Sequence, residues 1–91
     1  MSVSVRVPTI LRTYTGGEAR VPADGALLSD VLESLDGSYP GIMGRIVDEQ
    51  GELRRFVNVY VGNEDVRFLD GLATPVEDGS EISVIPAVAG G

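Results

Sequence analysis

Leu27-Leu28-Ser29-Asp30-Val31-Leu32-Glu33-Ser34-Leu35-Asp36 carries the reading that decides the fold. Leu28, Val31, Leu32 and Leu35 stand at i, i+3, i+4 and i+7, which is one apolar stripe along a helix. The spacing predicts a helix over Leu27 to Asp36, with Gly37 at C′ and Asp24 the best capping type, although early for the N-cap. Asp30, Glu33, Ser34 and Asp36 lie off the stripe and read as its solvated face. A single amphipathic helix needs an apolar surface to cover, so the flanking sequence must supply a sheet.

It does so on both sides. Val3, Val5 and Val7 alternate with Ser2, Ser4 and Arg6, the period-two pattern of a half-buried strand that ends near Pro8. Thr9 to Gly17 connects it, with Ile10 and Leu11 as anchors and a Gly-Gly turn, to a second short strand at Arg20 to Pro22, paired antiparallel with the first. Beyond the helix, Pro40, Gly41 and Gly44 leave room for a short helical turn within Ser38 to Ile46, and Asp48 to Glu52 is an acidic turn. Phe56 to Val61 is the clearest strand, with Val57, Val59 and Val61 on one face and Phe56, Asn58 and Tyr60 on the other. Gly62 to Asp65 turns the chain, Val66 to Phe68 reads as a short extended piece, and Glu81 to Ile85 is the final strand.

This order gives an α+β fold: a mixed sheet of four to five strands with one main helix packed on one face, the β-grasp arrangement. The faces expected to meet carry Val3, Val5, Val7, Leu28, Val31, Leu32, Leu35, Val57, Val59, Ile82 and Val84. Residues 1–86 form one domain, and residues 87–91 form a C-terminal arm.

Composition narrows the function. The 91 residues are 43% hydrophobic, enough for one small core. The formal net charge is −7, all seven basic residues are arginine, and Lys, His and Cys are absent. An acidic chain without a basic cluster along its sequence is a poor nucleic-acid binder. Without His, Cys or Lys it lacks the usual neutral-pH base, thiol nucleophile and Schiff-base amine. No catalytic residue and no metal ligand set is assigned, and turnover by this chain alone is not expected. No apolar run reaches the ~18 residues of a membrane span, and the alternating start is unlike a signal peptide. A cytoplasmic protein without membrane contact is the expectation.

The chemistry that remains sits at the end, Ile82-Ser83-Val84-Ile85-Pro86-Ala87-Val88-Ala89-Gly90-Gly91. Ile82 and Val84 point inward, and Pro86, lacking an N–H, stops the ladder. Ala87, Val88, Ala89, Gly90 and Gly91 form a thin arm that spans at most ~17 Å, from ~3.3–3.6 Å per residue. Such an arm delivers a carboxylate on Gly91 through a narrow channel. A terminal Gly-Gly arises by chance about once in 200 chains at a glycine usage of roughly 7%, so its meaning depends on what precedes it. Beside the arm, Ile85 falls opposite the inward residues and is expected exposed, as a partner surface or a core rim. Val66 is read the same way. Phe56 and Tyr60, facing away from the helix, form either a docking patch or a cross-strand pair that stiffens the sheet. Pro86, at the arm's root, is grouped with these partner-binding candidates. Arg6, Arg55 and Arg67 either meet acidic partner residues or serve solubility.

Taken together, the hairpin–helix–strand order, the Glu77-Asp78-Gly79-Ser80 turn and the Pro86-Ala87-Val88-Ala89-Gly90-Gly91 end resemble the ubiquitin-like sulfur carriers of the ThiS/MoaD family. Arg55-Phe56-Val57-Asn58-Val59-Tyr60-Val61-Gly62-Asn63-Glu64-Asp65-Val66-Arg67, Val7 to Arg12 and Leu72-Ala73-Thr74 resemble its CysO branch, which serves cysteine biosynthesis in actinobacteria. The resemblance spans essentially the whole chain. It implies that an adenylyltransferase/sulfurtransferase of the ubiquitin-activating type joins Gly91 to AMP, and that sulfur then displaces AMP to leave a thiocarboxylate. It further implies a pyridoxal-phosphate-dependent cysteine synthase that presents an activated serine, and a metalloprotease of the deubiquitinase type that releases cysteine. ATP, pyridoxal phosphate and zinc belong to those partners, and this chain holds no cofactor. A carrier for molybdopterin or thiamine thiazole synthesis, and a ubiquitin-like binding or modifier domain, are the alternatives.

Overall fold

A computed structural model describes residues 2–55 and 57–86. The alternating valines form β1 (Ser2–Arg6), and Val3 and Val5 are buried while Ser2 and Arg6 face solvent. A hairpin-like connection returns the chain antiparallel in β2 (Arg20–Asp24), with Val5 opposite Val21 and Arg6 opposite Arg20. This strand runs two residues beyond the expected Pro22. The connection contains a 3₁₀ turn at Thr9–Leu11 in which Leu11 is buried but Ile10 is 64% exposed. Ile10 is therefore not an anchor, because a three-residue turn sends only one of two adjacent side chains inward.

Helix α1 (Leu28–Ser38) buries Leu28, Val31, Leu32 and Leu35, the four stripe residues. Its entry is capped from within. The Asp30 carboxylate accepts the Leu27 N–H at 3.3 Å, a first-turn position where negative charge also suits the helix dipole. Asp24 ends β2 instead, and its N–H donates to Ser34 Oγ. Gly25 is required here by close approach: a Cβ would stand 2.6 Å from the Val31 nitrogen and 2.8 Å from Asp30 Cβ. The expected stop at Gly37 is one turn early. Gly37 continues the helix, Tyr39 is the C-cap, and the left-handed glycine is Gly41, at φ 97°. The Asp36 carboxylate accepts the N–H groups of Gly41 and Met43 at 3.0 and 3.1 Å. Asp30, Ser34 and Asp36 thus fasten both ends of the helix rather than only solvating its face.

The short helical turn is α2 (Met43–Ile46), and with it Ile42, Ile46 and Val47 enter the core. The acidic turn follows, with Asp48 accepting the N–H groups of Gln50 and Glu52. β3 (Val57–Val61) leads through Gly62-Asn63 into the two-residue β4 (Glu64–Asp65), paired antiparallel with it. Val66–Phe68 is a 3₁₀ turn, not an extended piece, and Asp65 caps it by accepting the Arg67 N–H at 2.9 Å.

The last strand, β5 (Glu81–Pro86), is the centre of the sheet, whose order is β2-β1-β5-β3-β4. It pairs parallel with β1 and antiparallel with β3. The strand includes Pro86, opposite Val57, rather than ending before it. The register with β1 stops at Arg6 and Ser83, so Pro86 stands where β1 has already left and a missing N–H costs no bond on that side. A mixed five-stranded sheet carrying one main helix on one face is the ubiquitin-like β-grasp, an α+β fold. The core faces are those expected, except that Val57 is only half-buried.

Candidate functional site: the root of the C-terminal arm

The arm itself, Ala87 to Gly91, and Phe56 lie outside the described residues, so the site is built from the ground the arm leaves. That ground is the open face of the sheet at the end of β5. Ile82 and Val84 are buried, and alternation brings Ile85 out, 46% exposed. The strand register decides its neighbours. Ile85 lies opposite Asn58, Ser83 opposite both Tyr60 and Arg6. Residues diagonal across adjacent strands are within side-chain reach, so Ile85 shares one patch with half-buried Tyr60 and with exposed Arg6. Tyr60 on β3 and Ile85 on β5 are thereby placed together, directly before Pro86, the third candidate on these strands.

Val66 is not part of this surface. It is fully buried, at 0% exposure. The extended reading would have turned it outward by alternation, whereas the 3₁₀ turn capped by Asp65 rotates it beneath β3 and into the core cluster. The apolar residues that this turn exposes are Phe68, 87% exposed, and Leu69.

Arg67 binds the patch to the loop before β3. Its two terminal nitrogens donate to Asn58 Oδ1 at 2.6 Å and to the Arg54 carbonyl at 2.8 Å. Arg54 is tied in turn by Nε to the Gly44 carbonyl at 2.9 Å, and Arg45 by Nε to Tyr14 Oη at 2.9 Å. On the far side of β5, Arg12 Nε donates to the Val7 carbonyl at 3.1 Å. Pro86 lines two grooves, one on each side of the strand: about 670 Å³ toward Leu53 and Val57, and about 210 Å³ toward Val7 and Pro8. The sequence reading singled out Arg6, Arg55 and Arg67 but missed Ile10, Arg12, Arg45 and Arg54, which reach the same place from remote segments. No local spacing links them.

Among the described residues the arrangement is an apolar and arginine-rich margin around a strand end. Among the described residues no helix is long and apolar enough to cross a membrane, and no group of three or more metal-ligating side chains is assembled.

Known proteins similar to this chain in sequence and fold agree with one another. The sequence profile of the ThiS family matches residues 5–91. The chain is 50% identical over 93 residues to the sulfur carrier protein CysO of Mycobacterium tuberculosis, covering 100% of both. It is 47% identical over 68 residues to small archaeal modifier protein 3 of Haloferax volcanii, covering 75% of this chain and 73% of that one. A solved chain from the Amycolatopsis orientalis BexX/CysO complex matches with a TM-score of 0.92 and 49% identity, covering 98% of this chain and 99% of that chain. Family profile, full-length identity and shared β-grasp together show that the chain belongs to the ThiS family.

Proposed function

We propose that this chain is a cytoplasmic sulfur carrier whose last glycine, Gly91, is adenylated and converted to a thiocarboxylate that supplies sulfur for cysteine biosynthesis. The observation that carries the reading is full-length identity of 50% to a sulfur carrier protein CysO, joined to a central strand that runs straight into Ala87-Val88-Ala89-Gly90-Gly91. A carboxylate is a poor acyl donor. In this reading a Gly91 oxygen attacks the α-phosphorus of ATP, with loss of pyrophosphate, in an enzyme of the ubiquitin-activating type. A sulfide-level donor, hydrosulfide or its equivalent, then attacks the acyl carbon and AMP leaves, which yields the thiocarboxylate. The thiocarboxylate sulfur forms a C–S bond with the β-carbon of an activated serine on a cysteine synthase as the C–O bond to the activating group breaks and that group leaves. The thioester shifts to an amide, and a metalloprotease hydrolyses it to free cysteine and Gly91. ATP, pyridoxal phosphate and zinc stay with these partners, and the chain acts as their co-substrate.

Intact-protein mass spectrometry tests each step. Incubation with ATP, the adenylating enzyme of the source organism and a sulfur source is expected to replace one oxygen by sulfur. Adding the cysteine synthase and activated serine is expected to append one cysteine. Sulfur exchange without a cysteine adduct favours a carrier for molybdopterin or thiazole synthesis. The likeness to small archaeal modifier protein 3 favours a second reading, conjugation of Gly91 to other proteins, and absence of sulfur uptake together with Gly91-linked conjugates establishes it.

A further inference from the structure

The fold concentrates charge in a way the linear sequence hides. Arg45, Arg54, Arg55 and Arg67 line the larger groove at Pro86, and Arg6 and Arg12 line the smaller one. Six of the seven arginines therefore line the two grooves that Pro86 borders, and the carboxylates lining those grooves are Asp48 and Glu52, with Glu49 beside Arg54 at their margin. Asp48 turns Oδ1 toward the N–H groups of Gln50 and Glu52. Arg20 is the one arginine that lines neither groove, and it is already paired with Glu81 at 3.0 Å. Basic side chains thus gather at these two grooves despite a formal charge of −7. At physiological salt the screening length is about 8 Å, so a partner approaching the arm feels the arginines rather than the net charge.

We infer that this arginine collar docks an acidic protein surface, the rim of the channel through which an enzyme receives the arm. Three features suit the collar to docking, and the last of them favours carboxylates of a protein over other anions. All six cations are arginine, whose planar fork matches a carboxylate, as it does a phosphate, in two parallel hydrogen bonds. Arg12, Arg45 and Arg54 are each held by Nε, and among the described residues their terminal nitrogens donate to no acceptor. Side chains fixed in this manner lose less freedom on docking. Exposed Ile10 and half-buried Leu53 and Val57 share the larger groove, and arginine mixed with apolar side chains is the composition of protein interfaces, not of phosphate sites. Such a collar lets a chain of acidic character meet an acidic rim in one orientation only, arm first.

The identity of the docked enzyme rests on the sulfur-carrier reading; the charge pattern does not. Two measurements separate them. In the first, deca-glutamate is titrated into the isotopically labelled chain at low salt and amide shifts are followed by NMR. Shifts are expected at the six arginines and their neighbours, fading as NaCl is raised, and Arg55→Glu is expected to weaken binding about tenfold more than Arg20→Glu, which alters net charge identically. Absent or scattered shifts overturn the inference. Tighter binding of inorganic pyrophosphate or of a single-stranded oligonucleotide at the same residues also overturns it, in favour of a phosphate or nucleic-acid site. In the second, ATP–pyrophosphate exchange by the adenylating enzyme is measured. Arg55→Glu is expected to raise KM for the chain and leave kcat unchanged, with thermal melting confirming the fold; an unaltered KM overturns the docking role. Lack of exchange with the wild-type chain refutes the carrier reading, while the glutamate titration still decides the collar.

Discussion

Val66→Ala separates the buried position of Val66 from the surface role that alternation suggests. The substitution removes two side-chain carbons from a residue with 0% exposure packed in the core cluster. Burial of each is worth roughly 0.8 kcal/mol, and the unfilled space adds a cavity term, so the total loss is about 2 kcal/mol, with a range of about 1–3. A domain of this size has a stability on the order of 5–15 kcal/mol. Since 1 kcal/mol shifts Tm by about 4–8 °C in a domain of 60–100 residues, the expected fall is about 8–16 °C. Guanidinium unfolding should show a lower midpoint with the same slope, because the surface exposed on unfolding hardly changes. Adenylation at a temperature where the variant is folded should match that of the wild type, because the residue touches no partner. A change within about 0.5 kcal/mol, the size of a surface substitution, accompanied by weaker partner binding, would refute the burial argument and restore the surface reading.

Gly25→Ala should destabilise by about 1–3 kcal/mol, because the new Cβ meets backbone of the helix entry, Val31 nitrogen at 2.6 Å, rather than a flexible side-chain tip; thermal melting against Gly37→Ala, where a Cβ meets nothing within 4 Å, is the check, and Gly37→Ala should be neutral or stabilising. Deleting Gly91, or replacing Gly90 with a bulky residue, should leave Tm within a degree or so of the wild type, on the order of a surface substitution, yet abolish ATP–pyrophosphate exchange. Gly91→Val should slow adenylation far more than Val88→Ala, since branching at the acyl centre hinders attack, and intact-protein mass spectrometry after a fixed time with the adenylating enzyme reads the difference.

The fold was legible where burial follows a short period. The i, i+3, i+4, i+7 stripe of α1 and the alternation in β1, β3 and β5 need only local sequence. What escaped was set by turns and by distance. Val66 and Ile10 sit in three-residue turns, where a shift of one residue reverses which side chain is buried; Asp65 before Val66 was a capping signal that points to the correct turn. Gly37 resembles a helix stop, but the Asp36 carboxylate reaches past it to Gly41 and Met43 and carries the turn further on. Ile42, Ile46 and Val47 lack a period because they fill one corner of the core from an irregular segment. At the candidate site, Ile85 and Tyr60 follow from alternation alone, but their adjacency requires the strand order. The same holds for the arginines. Arg6 and Arg12 come from the first strand and its connection, Arg45 to Arg67 from the second half, and only the placement of β5 between β1 and β3 brings them to one end.

The position of β5 has a mechanical consequence. β1 and β5 are parallel neighbours, one near each end of the described chain, with Ser4, Val5 and Arg6 aligned to Glu81, Ile82 and Ser83. Tension applied between the two ends of the domain therefore tries to slide these strands lengthwise past each other. Their hydrogen bonds are loaded together, as in a lap joint, instead of one after another, as in a zipper. β3 grips the other edge of β5 over the five pairs from Val61–Ile82 to Val57–Pro86, so a tug on the arm alone is shared between two ladders. An enzyme that strains against the tail during catalysis, or a motor that tries to thread the chain from that end, therefore loads these ladders in shear first.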